Sequence, residues 1–247
     1  MSAADPALPR ALIFDVDGTL AETEEAHRSA FNQTFAAAGL AWHWDTDLYR
    51  DLLRVTGGQQ RIRHHASRIG HALADDAVAA LHRAKNRRYA EMVAGGAVSL
   101  RPGVARLIAE ARQAGLRLAI ATTTSRSNLE ALLAHVMAPE ALAWFEVIVT
   151  GEDVFAKKPD PEAYARALAG LGLAATECFA FEDSRNGLLA AHALAIPTVV
   201  TPSVYTAHEV FAEAMLVLRS FDDPVRLDVA ALRTLAAPIG RAQASVV

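Results

Sequence analysis

The chain has 247 residues, 52% of them apolar, and a formal charge of −4. That length allows one sizeable core with a smaller appendage, and the acidic balance speaks against a generic nucleic-acid binder, which would be basic. No apolar run reaches bilayer-spanning length, no basic-then-apolar leader opens the chain, and the single cysteine, Cys178, cannot form an internal disulfide. A cytoplasmic monomer without nucleic-acid or membrane partners is expected, with Cys178 as a packing residue.

Met1 to Pro9 reads as a loose leader. The apolar run Ala11-Leu12-Ile13-Phe14 is a buried strand that leads directly into Asp15-Val16-Asp17-Gly18-Thr19. Residues two apart on a strand share a face, so Asp15 and Asp17 leave its end together, and Gly18 lets the chain turn. Two neighbouring acids repel, which points to a held cation. From about Glu22 to Gly96, helix follows helix: Glu24 to Ala38 stops at Gly39, and two more follow Gly57-Gly58 and Ala74-Asp75.

From Pro102 the texture changes. Strands at Leu116–Ala121, Glu146–Val149, Glu177–Phe181 and Pro197–Val200 alternate with helices at Gly103–Ala114, Arg126–Met137, Pro161–Leu171 and Ser184–Leu194. The expected fold is α/β: a Rossmann-like parallel-sheet core, covered on both faces and interrupted after its first strand by a small α-helical insertion. Residues 1–21 and 98–247 form the core and 22–97 the insertion, with Arg241 to Val247 a frayed end.

Ligands of such sheets sit outside the carboxyl ends of the strands. There the first strand delivers Asp15 and Asp17, and the next delivers Thr122, Thr123 and Thr124. The third is followed by Gly151 and then Lys157-Lys158-Pro159, and the fourth ends on Glu182 and Asp183. Four acids at one crevice call for a divalent cation, and an all-oxygen set selects Mg²⁺ over zinc. A hydroxyl and an ammonium beside it would complete a trap for a phosphoryl group.

Residues 50–91 carry nine Lys or Arg against four acids, a net +5 that leaves −9 on the remainder. Most of these charges read as a solvated helix surface. His82 and Lys85 lie three apart on one helix face, and Arg61 follows the Thr56-Gly57-Gly58 turn, whose backbone N–H groups can approach an anion. Glu24 and His27 share a face just after the acidic pair, and a carboxylate at 24 suits sugar hydroxyls.

Read together, Asp15-Val16-Asp17-Gly18-Thr19, Thr122, Lys158-Pro159 and Glu182-Asp183 resemble, in order, the four motifs of haloacid dehalogenase superfamily phosphatases with a small helical cap. The resemblance implies that Asp15 is a nucleophile forming an aspartyl-phosphate and Asp17 its acid/base partner. Thr122 and Lys158 would contact the phosphoryl group, Lys158 rather than Lys157 because it directly precedes Pro159. Mg²⁺ would be held by Asp15, the Asp17 backbone carbonyl and Asp183, with Glu182 in support.

Within the superfamily, Ala21-Glu22-Thr23-Glu24-Glu25, Trp42 with Trp44, Thr56-Gly57-Gly58, His82-Arg83-Ala84-Lys85 and Ala121-Thr122-Thr123-Thr124-Ser125 are similar to the CbbY-type phosphatases of carbon-fixing bacteria. Those enzymes remove the 1-phosphate of xylulose 1,5-bisphosphate, an inhibitor of Rubisco. The likeness implies a small sugar-phosphate substrate surrounded by Glu24, His27, the loop of Gly57, Gly58, Gln59, Gln60 and Arg61, by His82, Arg83 and Lys85, and by Thr122, Thr123, Thr124, Ser125 and Asn128. Gln59 stands where relatives can carry a basic residue, which leaves Arg61 and Lys85 to hold a second phosphate. The alternatives are a hexose-phosphate mutase of the β-phosphoglucomutase kind, a phosphoglycolate-type phosphatase and, in a different class, a phospho-accepting receiver module. The helical insertion and the paired Asp15 and Asp17 speak against the last.

Overall fold

The computed structural model describes residues 8–244. Six parallel strands form one sheet in the order β3-β2-β1-β4-β5-β6, from β1 (Ala11–Phe14), β2 (Arg117–Ala121), β3 (Val147–Val149), β4 (Cys178–Glu182), β5 (Thr198–Val200) and β6 (Leu216–Val217). The strand residues of β1 and β4 are buried on both faces, which is why they read as unbroken apolar runs. One face carries the large side chains Leu12, Phe14, Leu118, Ile120, Phe179 and Phe181, with Phe14 and Phe181 stacked at 4.6 Å. The other carries Ala11, Ile13, Ala119, Ala121, Cys178 and Ala180, small enough for helices to approach closely. Cys178 is fully buried there, and burial pushes its thiol up to about 12, so it packs rather than reacts.

Between β1 and α5 (Val104–Gln113) lies the helical segment: α1 (Glu24–Ala37), α2 (Thr46–Leu52), α3 (Gly58–Arg68) and α4 (Asp75–Ala94). It has its own aromatic core of Phe31, Phe35, Trp44 and Tyr49, with Phe31 and Phe35 ring centroids 4.6 and 4.8 Å from Trp44. Asn32 ties the loop down by hydrogen bonds to both backbone groups of Trp44, each 2.8 Å. Tyr205, from the loop after β5, enters the same cluster, and its hydroxyl donates to Glu25 at 2.5 Å. A second apolar cluster runs from the sheet into Ala26, Ala30, Tyr89 and Val93 of α1 and α4, so the segment is seated on the sheet half.

The alternation expected after Pro102 is present as α5, β2, α6 (Arg126–Val136), β3, α7 (Glu162–Leu171), β4, α8 (Arg185–His192) and β5. The strands and α-helices not foreseen are α2, the two-residue β6 and α9 (Val229–Ala244). Helix α9 covers 241–244 of the end expected to fray. Residues 245–247 of that end, and 1–7 of the expected leader, lie outside the described residues, while Pro9 is buried.

The two chain crossings between the halves run side by side, with Ala21 bridged antiparallel to Leu100. Arg101, buried at this crossing, donates to the carbonyls of Gly18, Thr201, Pro202 and Arg219 and so ties the turn after β1 to the loops after β5 and β6. Removing it leaves those buried acceptors unpaired. Arg101→Leu is therefore expected to cost about 3 kcal/mol or more in unfolding free energy, measured by denaturant titration.

Candidate active site

Phe14 of β1 pairs with Phe181 of β4, so Asp15 and Glu182 leave the sheet as neighbours. Lys158 bridges them, its Nζ 2.7 Å from Asp15 Oδ1 and 2.6 Å from Glu182 Oε1, and all three side chains are buried. Tyr164 of α7 donates its hydroxyl to the same Glu182 Oε1 at 2.6 Å, with its ring centroid 5.1 Å from the Lys158 ammonium. The Thr19 hydroxyl donates to Asp15 Oδ2 at 3.1 Å.

Asp183 stands beside this pair, with the Thr206 hydroxyl donating to its carbonyl at 2.7 Å. Asp15, Glu182 and Asp183 each offer an oxygen within 4.8 Å of the others. Space is reserved for them: a Cβ on Gly18, already at φ +80°, would collide with the Asp183 carboxylate, and one on Gly187 with that of Glu182. Burial pushes Asp15 up to about 8 against the pull of Lys158, and burial with repulsion from Asp15 and Glu182 drives Asp183 well above the usual carboxylate range. Glu182 Oε2 is buried without a hydrogen-bond partner. Three oxygen donors with too little positive charge around them fit a hard divalent cation.

Asp17 has a different setting. Its Oδ1 accepts from the Thr23 hydroxyl at 2.6 Å and lies 3.0 Å from His27 Nε2. Lys85 Nζ is 2.7 Å from His27 Nδ1. An ammonium can only donate, so Nδ1 accepts and Nε2–H donates to Asp17, which assigns the tautomer of a neutral His27. Burial, with Lys85 adding repulsion, lowers the imidazole below its ordinary range, and its ring stacks on Tyr89 at 4.0 Å. Burial would raise Asp17, but its bonds to His27 and Thr23 outweigh this and hold it well below the usual carboxylate range. Burial also brings Lys85 down to about 7.

A cleft of about 650 Å³ opens over these groups, between the strand ends and the helical segment. Asp15, Asp17, Glu24, His27, residues 57–61, His82, Arg83, Lys85, residues 122–125, Asn128, Lys158 and Asp183 all line it, and Glu182 sits beneath Lys158. Thr122 Oγ1 accepts from the Thr124 N–H at 3.2 Å. Glu24 accepts from the Tyr49 hydroxyl at 2.7 Å, and Tyr49 in turn accepts from Arg61 at 3.1 Å. Lys85 lines the cleft, but its ammonium is directed at His27 and not freely at a second phosphate.

The other basic residues of the segment mostly form surface pairs, Arg63 with Asp75 and Arg50 with Asp47 among them.

Tyr49, Asn86 and Tyr164 were missed by sequence reasoning, and Lys157 was passed over in favour of Lys158. Asn86 accepts from Asn128 Nδ2 and donates to Ser125 Oγ, each at 3.2 Å, and the Asn128 Oδ1 is buried without a partner. Asn86 lies four residues after His82 and lines the cleft with His82 and Lys85, so the same helical spacing could have found it.

Residues 9–194 match the family described as haloacid dehalogenase-like hydrolase. A protein named CbbY from Rhodobacter capsulatus is 55% identical over 205 residues, 83% of this chain and 90% of that protein. The crystal structure of an Asp-to-Asn variant of CbbY from Rhodobacter sphaeroides, in complex with xylulose 1,5-bisphosphate, superposes with a TM-score of 0.86 at 46% identity, covering 91% of this chain and 99% of that one. A β-phosphoglucomutase from Clostridium difficile shares the fold, at a TM-score of 0.78 and 16% identity over 94% of this chain and 99% of that one.

His82, half-buried beside Lys85 and His27, is pushed down to about 3, chiefly by burial. The unfolded chain takes up that proton near the ordinary 6.5, so stability is full above this pH and falls as the pH drops toward 3. At pH 5 the loss is about 2 kcal/mol, and thermal melts of His82→Asn between pH 7 and 5 are expected to show a shallower decline than the parent.

Proposed function

The chain belongs to the haloacid dehalogenase-like hydrolases and is a phosphoric monoester hydrolase; from that premise we propose that it is a Mg²⁺-dependent phosphatase acting on a sugar bisphosphate, xylulose 1,5-bisphosphate first of all. The observation that carries the chemistry is the division of labour between the two acids: Asp15 beside Lys158 in a cation-seeking triad, Asp17 beside a proton-bearing His27. The substrate is carried by the likeness to the CbbY protein crystallised with that bisphosphate, and by a cleft large enough for it.

An Asp15 carboxylate oxygen attacks phosphorus in line and the bond to the ester oxygen breaks, leaving phosphoryl-Asp15. Substrate negative charge beside Asp17 raises its proton affinity from the low range imposed by His27 and Thr23, so it enters the step protonated and gives that proton to the leaving oxygen. Water then attacks the phosphoryl group, Asp17 takes its proton, and inorganic phosphate departs with Asp15 regenerated. Mg²⁺, held by Asp15, Asp183 and the Asp17 backbone carbonyl with Glu182 in support, supplies charge neutralisation at the phosphoryl oxygens when bound.

Lys158 and the Thr122 hydroxyl hold the oxygens of the transferring group. The helical segment acts as a cap, with Glu24, Asn128 and His82 meeting sugar hydroxyls and the loop from Gly57 to Arg61 at the far end. Asn128 Oδ1, an orphan acceptor inside the cleft, needs a donor such as a hydroxyl. No helix among the described residues is long and apolar enough to cross a membrane.

A panel of sugar mono- and bisphosphates assayed for phosphate release with Mg²⁺ tests the reading. Xylulose 1,5-bisphosphate is expected to exceed ribulose 1,5-bisphosphate in kcat/KM by about tenfold or more, and Asp15→Asn to abolish turnover of both. Comparable rates on simple monophosphates contradict it.

A further inference from the structure

Lys157 and Lys158 are consecutive in the loop between β3 and α7 and both line the cleft, yet their ammonium groups have different partners. Lys158 is buried against Asp15 and Glu182. Lys157 donates from Nζ to the Gly151 carbonyl at 2.8 Å, and its methylenes cross to the helical segment and lie over Gly57. A Cβ placed on Gly57 would stand 2.7 Å from Lys157 Cδ, 2.8 Å from its Cε and 2.5 Å from Gln60 Oε1. A side chain rooted in the sheet half therefore closes over the loop that opens α3, and Gly57, at φ +94°, is bare where that stem passes. On the next residue a Cβ would meet His82 Nε2 at 2.5 Å, so the loop is pressed from both sides.

Of the other cations lining the cleft, Arg83 is exposed and Lys85 and Arg61 have partners within the helical segment. Lys85 is bound to His27. Arg61 donates to the Leu52 carbonyl at 3.2 Å and to the Tyr49 hydroxyl at 3.1 Å, with its guanidinium over the Tyr49 ring at 5.3 Å. Gln59 and Gln60 are uncharged. Among the described residues no carboxylate forms an ion pair with Lys157, Glu152 acting on it only at longer range. After its bond to Gly151, the ammonium keeps two N–H donors for the cleft.

We propose that Lys157 is the specificity-determining contact for the second phosphate, a cation supplied by the sheet half and brought to the ligand across the Gly57 turn of the cap. The assignment rests on the sugar-bisphosphate reading above. It makes the distal anion a bridge: a bisphosphate is gripped by both halves, and a monophosphate lacks the group on which they meet.

The test is the kcat/KM ratio between xylulose 1,5-bisphosphate and xylulose 1-phosphate, measured for the parent enzyme, Lys157→Met and Lys157→Arg. Methionine keeps a long stem over Gly57 and removes the charge, and matching thermal melts establish that both variants fold. Lys157→Met is expected to lower the ratio by about ten- to a hundredfold, mainly through KM for the bisphosphate, with Lys157→Arg recovering most of it. A Lys157→Met ratio equal to the parent's overturns the assignment, as does an equal loss in the methionine and arginine variants, which would make the stem and not the charge responsible. A parent enzyme with no preference for the bisphosphate overturns the substrate reading and the assignment together, whatever the variants do.

Discussion

Two parallel strands that lie side by side and both end on carboxylates impose an electrostatic problem, and the rest of the site is arranged around its solution. Charges about 4 Å apart repel by roughly 4 kcal/mol at an effective dielectric near 20. Lys158 relieves part of this between Asp15 and Glu182, and Tyr164 holds the same Glu182 oxygen. Asp183 adds a further buried acid, and burial, with repulsion from Asp15 and Glu182, drives its proton affinity upward, as burial with repulsion from Glu182 does for Asp15. The backbone is fitted to this cluster: Gly18 and Gly187 lie where any side chain would displace a carboxylate. Strand register thus brings the carboxylates together, and a loop lysine and a helix tyrosine hold them in place.

The proton-handling end depends on the helical segment. Asp17 leaves the same strand, but His27 comes from α1 and Lys85 from α4, and the line Lys85–His27–Asp17 exists only with both helices packed on each other and on the sheet half. Closure is anchored away from the chemistry, by Tyr205 in the aromatic core of the segment and by Asn186, which donates to Thr56 Oγ1 at 3.3 Å. Asp15 and Asp17, proposed above as nucleophile and acid/base partner, are neighbours in sequence, yet one is tuned by strand neighbours and the other by helices of an inserted segment.

Much of this was legible in the residues, because Asp15, Thr122, Glu182 and Asp183 each follow an apolar run, and a parallel sheet gathers strand ends at one edge. The helix-face pairs Glu24 with His27 and His82 with Lys85 were readable for the same kind of reason, a fixed period. What a period cannot say is which neighbour a face meets. Lys85 was expected at a second phosphate, but the packing of α4 on α1 turns it to His27. Lys157 was set aside for Lys158 because Lys158 directly precedes Pro159, and where a loop side chain then points depends on backbone that no pattern encodes. Tyr49 acts through partners remote in sequence, and β6 has only two residues, too few for a pattern.

The central claim is that the buried Asp15–Glu182–Asp183 cluster is completed by a divalent cation. Thermal unfolding of the protein in Mg²⁺ against the same protein in chelator tests it without recourse to turnover, since a ligand bound only by the folded state stabilises it by about 2.7 kcal/mol at a hundred times its Kd. The account predicts a melting temperature that climbs with Mg²⁺ concentration, and a response largely lost in Asp183→Asn. A melting temperature indifferent to Mg²⁺ would contradict it.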